Sequence, residues 1–80
     1  MKIQIEAFGI AKDIFGKKHT EIKLLTGSSV LDLKETLMEE FPKFKALRSF
    51  AIAVNESYAL DTDQLTETDK IVIIPPVSGG

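Results

Sequence analysis

The chain has 80 residues, an apolar fraction of 44% and a formal charge of −2, with ten Lys and Arg against twelve Asp and Glu. That is material for one small globular domain with a nearly complete core, neither two domains nor a disordered chain. No basic stripe recommends nucleic acid as a partner. The absence of Cys removes disulfides, thiolate nucleophiles and cysteine-bound metals together.

Ile3, Ile5 and Ala7 alternate with Lys2, Gln4, Glu6 and Phe8, which predicts a strand buried on one face. This start lacks the apolar run and cleavage pattern of a signal peptide. No window approaches the roughly 18 to 20 apolar residues of a membrane span, so no membrane partner and a cytoplasmic location are expected. Gly9 punctuates the strand, residues 10–15 form a short helical turn or a wide connection, and Gly16 closes it. A second strand is expected from about Thr20 to Leu25, antiparallel to the first.

Gly27-Ser28-Ser29 announces a helix. Ser29 is the expected N-cap, and Asp32 completes an approximate capping box. Val30, Leu33, Leu37 and Phe41 recur at three- and four-residue spacing, with Met38 beside them, while Lys34, Glu35, Glu39 and Glu40 supply the polar side. Pro42 should stop the helix near Glu40 or Phe41. Residues 43–48 bridge onward, anchored by Phe44 and Leu47. Residues 49–54 read as a strand, Asn55-Glu56-Ser57 as a turn, and Tyr58-Ala59-Leu60 as a very short edge strand. The polar run 61–69 is a loop anchored by Leu65, its acidic residues a solvated face. The final strand, 70–74, is apolar on both faces and suits a central position.

Two strands, a helix and two or three strands predict an α+β fold, with one main helix packed across one face of a mixed, mostly antiparallel sheet. If the first and last strands lie side by side in the middle they run parallel, which is the β-grasp, or ubiquitin-like, arrangement. Residues 1–74 then form the domain, and residues 75–80 an extended, flexible tail.

That tail reads Pro75-Pro76-Val77-Ser78-Gly79-Gly80. The prolines favour extended backbone, and two glycines make the end narrow and permissive. Both features suit a carboxylate that enters a confined site on another protein, although a flexible linker has the same composition. A carboxylate is a poor electrophile and a poor nucleophile. Chemistry there requires activation, for example as an acyl adenylate, and then transfer to sulfur or nitrogen.

From Ala53 to Gly80 the chain resembles the small subunit of molybdopterin synthase. The resemblance rests on the turn at Val54-Asn55, the approach of Leu65 and Asp69 to the last strand, and the ending Pro75 through Gly80. Upstream, residues 8–16 resemble the family's segment after the first strand, with Lys12-Asp13 where an Arg-Glu pair is usual. The resemblance implies a sulfur carrier with no cofactor of its own. A partner resembling ubiquitin-activating enzymes uses ATP to adenylate Gly80, and a sulfur donor converts the adenylate to a thiocarboxylate, a terminal 1-thioglycine. The tail, Pro75 through Gly79, then enters the large synthase subunit, where cyclic pyranopterin monophosphate gains two sulfurs and becomes the molybdopterin dithiolene. The implied assembly has two small and two large subunits, and the small one is the sulfur-donating part of a sulfurtransferase, not catalytic alone. A thiamine-pathway sulfur carrier, a ubiquitin-like protein modifier and a noncovalent β-grasp binding module are the alternatives.

Phe8 falls opposite Ile3, Ile5 and Ala7, next to the outward residues of the last strand, either Val72 and Ile74 or Ile71 and Ile73. If no helix covers that face, Phe8, Val72, Ile74 and Leu60 form a docking patch for the large subunit or activating enzyme. The bland reading packs Phe8 under residues 10–15 and Leu60 in an edge-strand core. His19, beside Lys17 and Lys18 and without a second His or any Cys, is not a metal ligand. Asp61, Asp63, Glu67 and Asp69 lack the spacing of a calcium loop.

Overall fold

The sheet is organised around its last strand. In the computed structural model, which describes residues 1–47 and 50–75, β1 (Lys2–Ala7), α1 (Gly9–Phe15), β2 (His19–Lys23) and α2 (Val30–Glu40) come first. A 3₁₀ turn (Pro42–Ala46), β3 (Ala51–Val54), β4 (Ser57–Tyr58) and β5 (Ile71–Ile74) follow. The strand order is β2-β1-β5-β3-β4. β5 is parallel to β1, with Ile71 beside Ile5 and Ile73 beside Ala7, and antiparallel to β3, with Ala51 beside Ile74. This is the expected β-grasp topology, with the apolar last strand in the central place.

Side-chain alternation sends Ile3, Ile5, Ala7, Ile22, Ile52, Ile71 and Ile73 to one face, where all are buried. α2 lies on that face through Val30, Leu33 and Leu37, each fully buried. Phe44 closes the core inside an aromatic group. Its ring lies 5.3 Å from that of Phe15 and 5.2 Å from that of Phe50, and Phe15 meets Phe41 edge-on at 4.8 Å.

α2 begins as the sequence predicts. The Asp32 amide donates to Ser29 Oγ at 3.2 Å, and the Ser29 amide donates to Asp32 Oδ2 at 2.9 Å. The two remaining free amides of the first turn find partners far along the chain. Val30 N donates to the Asp63 carbonyl at 2.9 Å and Leu31 N to the Asp61 carbonyl at 3.0 Å, so the 59–70 loop completes the cap. At the other end the Phe41 amide donates to the Leu37 carbonyl at 2.8 Å, and Pro42 opens the 3₁₀ turn, where its missing N–H costs nothing.

Several boundaries differ from expectation. β1 stops at Ala7, because Phe8 is the N-cap of a true helix, α1, and Gly9 follows with φ +56°. β2 starts at His19 and ends at Lys23. β4 is only Ser57–Tyr58, since Leu60 N turns away to donate to Asp63 Oδ2 at 2.9 Å. β3 begins at Ala51, and Ser49 lies outside the described residues. Among those described, no helix is long and apolar enough to cross a membrane.

Thr20 points into the core from β2, and its hydroxyl has no hydrogen-bond partner among the described residues. A desolvated, unpaired hydroxyl costs about 1–3 kcal/mol. Thr20→Val keeps the shape and should raise stability by roughly 1 kcal/mol in urea unfolding. Phe44→Ala should lower it by about 3–5 kcal/mol.

Candidate functional site: the open sheet face and the root of the tail

The register fixes what the uncovered face displays. Glu6 stands beside Val72, Val72 beside Ala53, and Ala53 beside Tyr58, so these four form one row across the sheet. Ile74 and Ala51 form the next row. Phe8, still extended at φ −131° and ψ 161°, continues the alternation of β1 past its last ladder pair. Among the described residues no helix covers this face.

Phe8 is 44% exposed, and Lys18 Nζ lies 5.2 Å from its ring centroid. The same ammonium is 3.9 Å from Glu6 Oε1. Phe8 thus carries a cation on its ring and does not pack under α1. Val72 and Ile74 are half-buried by their neighbours, whereas Leu60 is 70% exposed. Tyr58, 74% exposed and directly opposite Ala53, belongs to the same face. Sequence reading assigned it only to a short edge strand. The cross-strand register is what gives it a place here, and periodicity within one segment does not encode that.

The chain leaves the sheet beside α1. Pro75 Cγ lies 3.6 Å from where a Cβ of Gly9 would stand. With φ +56°, Gly9 turns β1 directly into α1, a conformation that disfavours other residues. Pro76, Val77, Ser78, Gly79 and Gly80, read above as the reactive tail, lie outside the described residues.

The opposite end of β5 is fastened by side chains that sequence reading had separated. Asn55 and Glu56, at φ 52° and 72°, form the two-residue turn between β3 and β4. Asn55 Nδ2 donates to Asp69 Oδ1 at 2.9 Å, and Lys70 N donates to Asn55 Oδ1 at 2.9 Å. Thr66 N donates to Asp69 Oδ2 at 2.8 Å. The Val54-Asn55 and Leu65–Asp69 motifs therefore meet at one joint.

The acidic loop needs the same correction. Asp61 pairs with Lys34 at 2.8 Å, Asp63 accepts from Leu60 N, and Glu67 accepts from Lys2 N at 3.1 Å. These carboxylates fix the loop's path as well as facing water. Among the described residues no group of three or more His, Asp or Glu is placed to hold a metal ion. His19 Nε2 stands 4.0 Å from Glu6 Oε1.

The Thr66 amide holds the Asp69 carboxyl below its ordinary value, and the Asn55 amide adds to this against partial burial. A lowered folded-state pKa stabilises above the unfolded value and is lost as pH falls through the folded one. Asp69→Asn should therefore be less stable than the parent at neutral pH. The gap should close below about pH 4, the ordinary aspartate range; thermal unfolding at a series of pH values measures it.

Comparison with known proteins gives a consistent picture. The family model described as ThiS family matches residues 5–80. A molybdopterin synthase sulfur carrier subunit from Arabidopsis thaliana is 31% identical over 81 residues, covering 100% of this chain and 84% of its own. Among solved structures, a Pyrococcus furiosus chain described as molybdopterin converting factor subunit 1 superposes with a TM-score of 0.86 at 28% identity, covering 96% of this chain and 99% of its own. A chain in the complex of subunits 1 and 2 of the Helicobacter pylori molybdopterin-converting factor gives a TM-score of 0.68 at 27% identity, with both chains covered completely.

Proposed function

Because the chain belongs to the ThiS family and is homologous to molybdopterin synthase sulfur carrier subunits, we propose that it carries sulfur as a thiocarboxylate on Gly80. In this reading it is the small subunit of a molybdopterin synthase and delivers sulfur to cyclic pyranopterin monophosphate, forming the molybdopterin dithiolene. The observation that carries the reading is a family match that runs through residue 80, beyond a central strand that ends at Ile74.

The chemistry follows from the terminus. The Gly80 carboxylate attacks the α-phosphorus of ATP held by an adenylating partner and releases pyrophosphate. The acyl adenylate then has a good leaving group, and sulfide-level sulfur released by the sulfur donor attacks the acyl carbon, forming the C–S bond as the C–O bond to AMP breaks. The thiocarboxylate sulfur is much more nucleophilic than a carboxylate oxygen. Each charged tail delivers one sulfur, so the two sulfurs of the product need two deliveries. The large subunit supplies the acid–base groups and the cations for the substrate phosphate, because residues 71–80 contain no His, Lys, Arg or Cys.

Docking is assigned to the open face. Phe8, Leu60, Val72 and Ile74 supply apolar surface beside the strand from which the tail departs, so docking delivers Pro75 through Gly79 to the partner's site. One central rigid strand sets the relation between the patch and the tail's root.

Intact-mass analysis of the C-terminal peptide, taken from cells with the native partners, tests the chemistry. The expected result is the mass gain of one oxygen replaced by sulfur on Gly80, absent when Gly80 is deleted. An unmodified tail in the presence of active adenylating enzyme and ATP rejects it. For the patch, Phe8→Ser combined with Leu60→Ser should weaken binding to the large subunit at least ~10-fold, equal to about 1.4 kcal/mol. Cooperative thermal unfolding should persist; unchanged affinity by calorimetry removes the patch from the interface.

A further inference from the structure

The strand order leaves β2 on an outer edge of the sheet, paired only with β1. Its inward groups are fixed by that ladder. The Leu24 amide donates to the Met1 carbonyl at 2.9 Å, and the Ala7 amide donates to the Lys18 carbonyl at 2.7 Å. Hydrogen-bonded positions alternate along an antiparallel pair, so Lys18, Thr20, Ile22 and Leu24 turn their backbone groups towards β1. His19, Glu21 and Lys23 turn theirs outward, where no described strand meets them. Nor does α2 roof this edge. An open groove of about 410 Å³, lined by Lys23 and Leu25 and by Asp32, Glu35 and Thr36, lies between them.

The charges on the edge are left unbalanced. Lys23 stands opposite Lys2 at a position without ladder hydrogen bonds, where cross-strand side chains come closest. Like charges directly opposite are destabilising, and Lys23 has no ion pair among the described residues. Two residues earlier, the exposed Glu21 accepts from Gln4 Nε2 at 2.8 Å through Oε2. That bond orients the carboxylate, which has no cation beside it among the described residues.

We propose that β2 pairs with β2 of a second copy of this chain, antiparallel about a two-fold axis at Ile22. That register sets Glu21 beside Lys23 of the second copy, and Lys23 beside its Glu21. All these residues present outward backbone groups, so each pair exchanges N–H···O bonds in both directions. Each lysine also gains the carboxylate that its own sheet lacks. Other axes fail on charge. One at Glu21 opposes two glutamates, one at Lys23 opposes two lysines, and one at Thr20 sets Lys17 beside Lys23. Axes between residues would set outward backbone groups against inward ones. The contact is isologous, one patch meeting itself, and it joins two five-stranded sheets into one. β5 lies two strands in from the edge, so the Val72–Ile74 patch and Pro75 stay uncovered. Nothing in this pairing depends on what Gly80 carries.

Sedimentation equilibrium on the full-length chain, from micromolar concentration to about 2 mM, tests this. The contact is small, so a dissociation constant on the order of 0.1 mM is expected. Hydrogen exchange across the same range should show the Glu21 and Lys23 amides gaining protection as the dimer forms. The Ile22 amide, already facing β1, should change little. Glu21→Lys opposes two lysines at each pair and should weaken association at least ~10-fold. Adding Lys23→Glu exchanges the charges and should return association to near the parent value. A chain that stays monomeric at the highest concentration overturns the proposal. So does a dimer whose Glu21 and Lys23 amides remain unprotected, the result that association through the Phe8 face would give. A double variant that associates no better than the single one overturns it as well.

Discussion

The parallel pairing of β1 with β5 is the constraint on which the rest of the structure depends. It joins the first and last strands at the centre of the sheet, with Ile5 beside Ile71 and Ala7 beside Ile73. Once β5 is central, its neighbours must cover it. β3 completes its other edge, α2 seals one face, and the opposite face is left with Val72 and Ile74 between Phe8 and the small side chains Ala51 and Ala53. The exit of the chain beside Gly9 is a consequence of the same pairing, because the parallel direction brings the end of β5 to the end of β1.

A second dependence runs between the loop and the helix. The segment after β4 is polar and packs only Ala59 and Leu65 against the core, with Leu60 left exposed, so burial alone holds it weakly. It is fixed instead by exchange of unmet hydrogen bonds. α2 needs acceptors for its first amides, and the loop has spare carbonyls at Asp61 and Asp63. Leu65 N returns the arrangement by donating to the Ser28 carbonyl at 2.9 Å. The loop then delivers Asp69 to Asn55 and sets where β5 begins. Helix capping, loop path and strand register are thus one connected set of contacts.

Much of this was legible in the sequence, for identifiable reasons. Ser29 with Asp32, the stripe Val30, Leu33 and Leu37, and the stop at Pro42 are local signals, and each element obeys them. The doubly apolar run 71–74 marked the central strand, where Ile71 and Ile73 are buried in the core and Val72 and Ile74 are half-buried by the strands on either side. What stayed hidden involved partners distant in sequence. Asp69 reads as one more acid in a polar run until Asn55 is brought to it, and Tyr58 gains meaning only from Ala53 across the ladder. β4 is shorter than the expected 58–60 because the Leu60 amide is taken by Asp63. The candidate site divides the same way: Phe8 follows from alternation, but the choice of Val72 and Ile74 over Ile71 and Ile73 comes from the register with β1, and the cation on the Phe8 ring from Lys18 beyond a helix.

The flanked position of β5 also has a mechanical consequence. A pull on the C-terminal segment acts along the strand's own axis, nearly perpendicular to the hydrogen bonds that hold it to β1 and β3. Those bonds are loaded together, in shear, and do not open one after another like a zipper. The same force applied across β4, a two-residue edge, would peel it pair by pair. The residues that follow Ile74 are therefore attached to a strand held along both of its edges. A machine could tug on that end, or a tight channel could hold it, while the domain behind it stays folded.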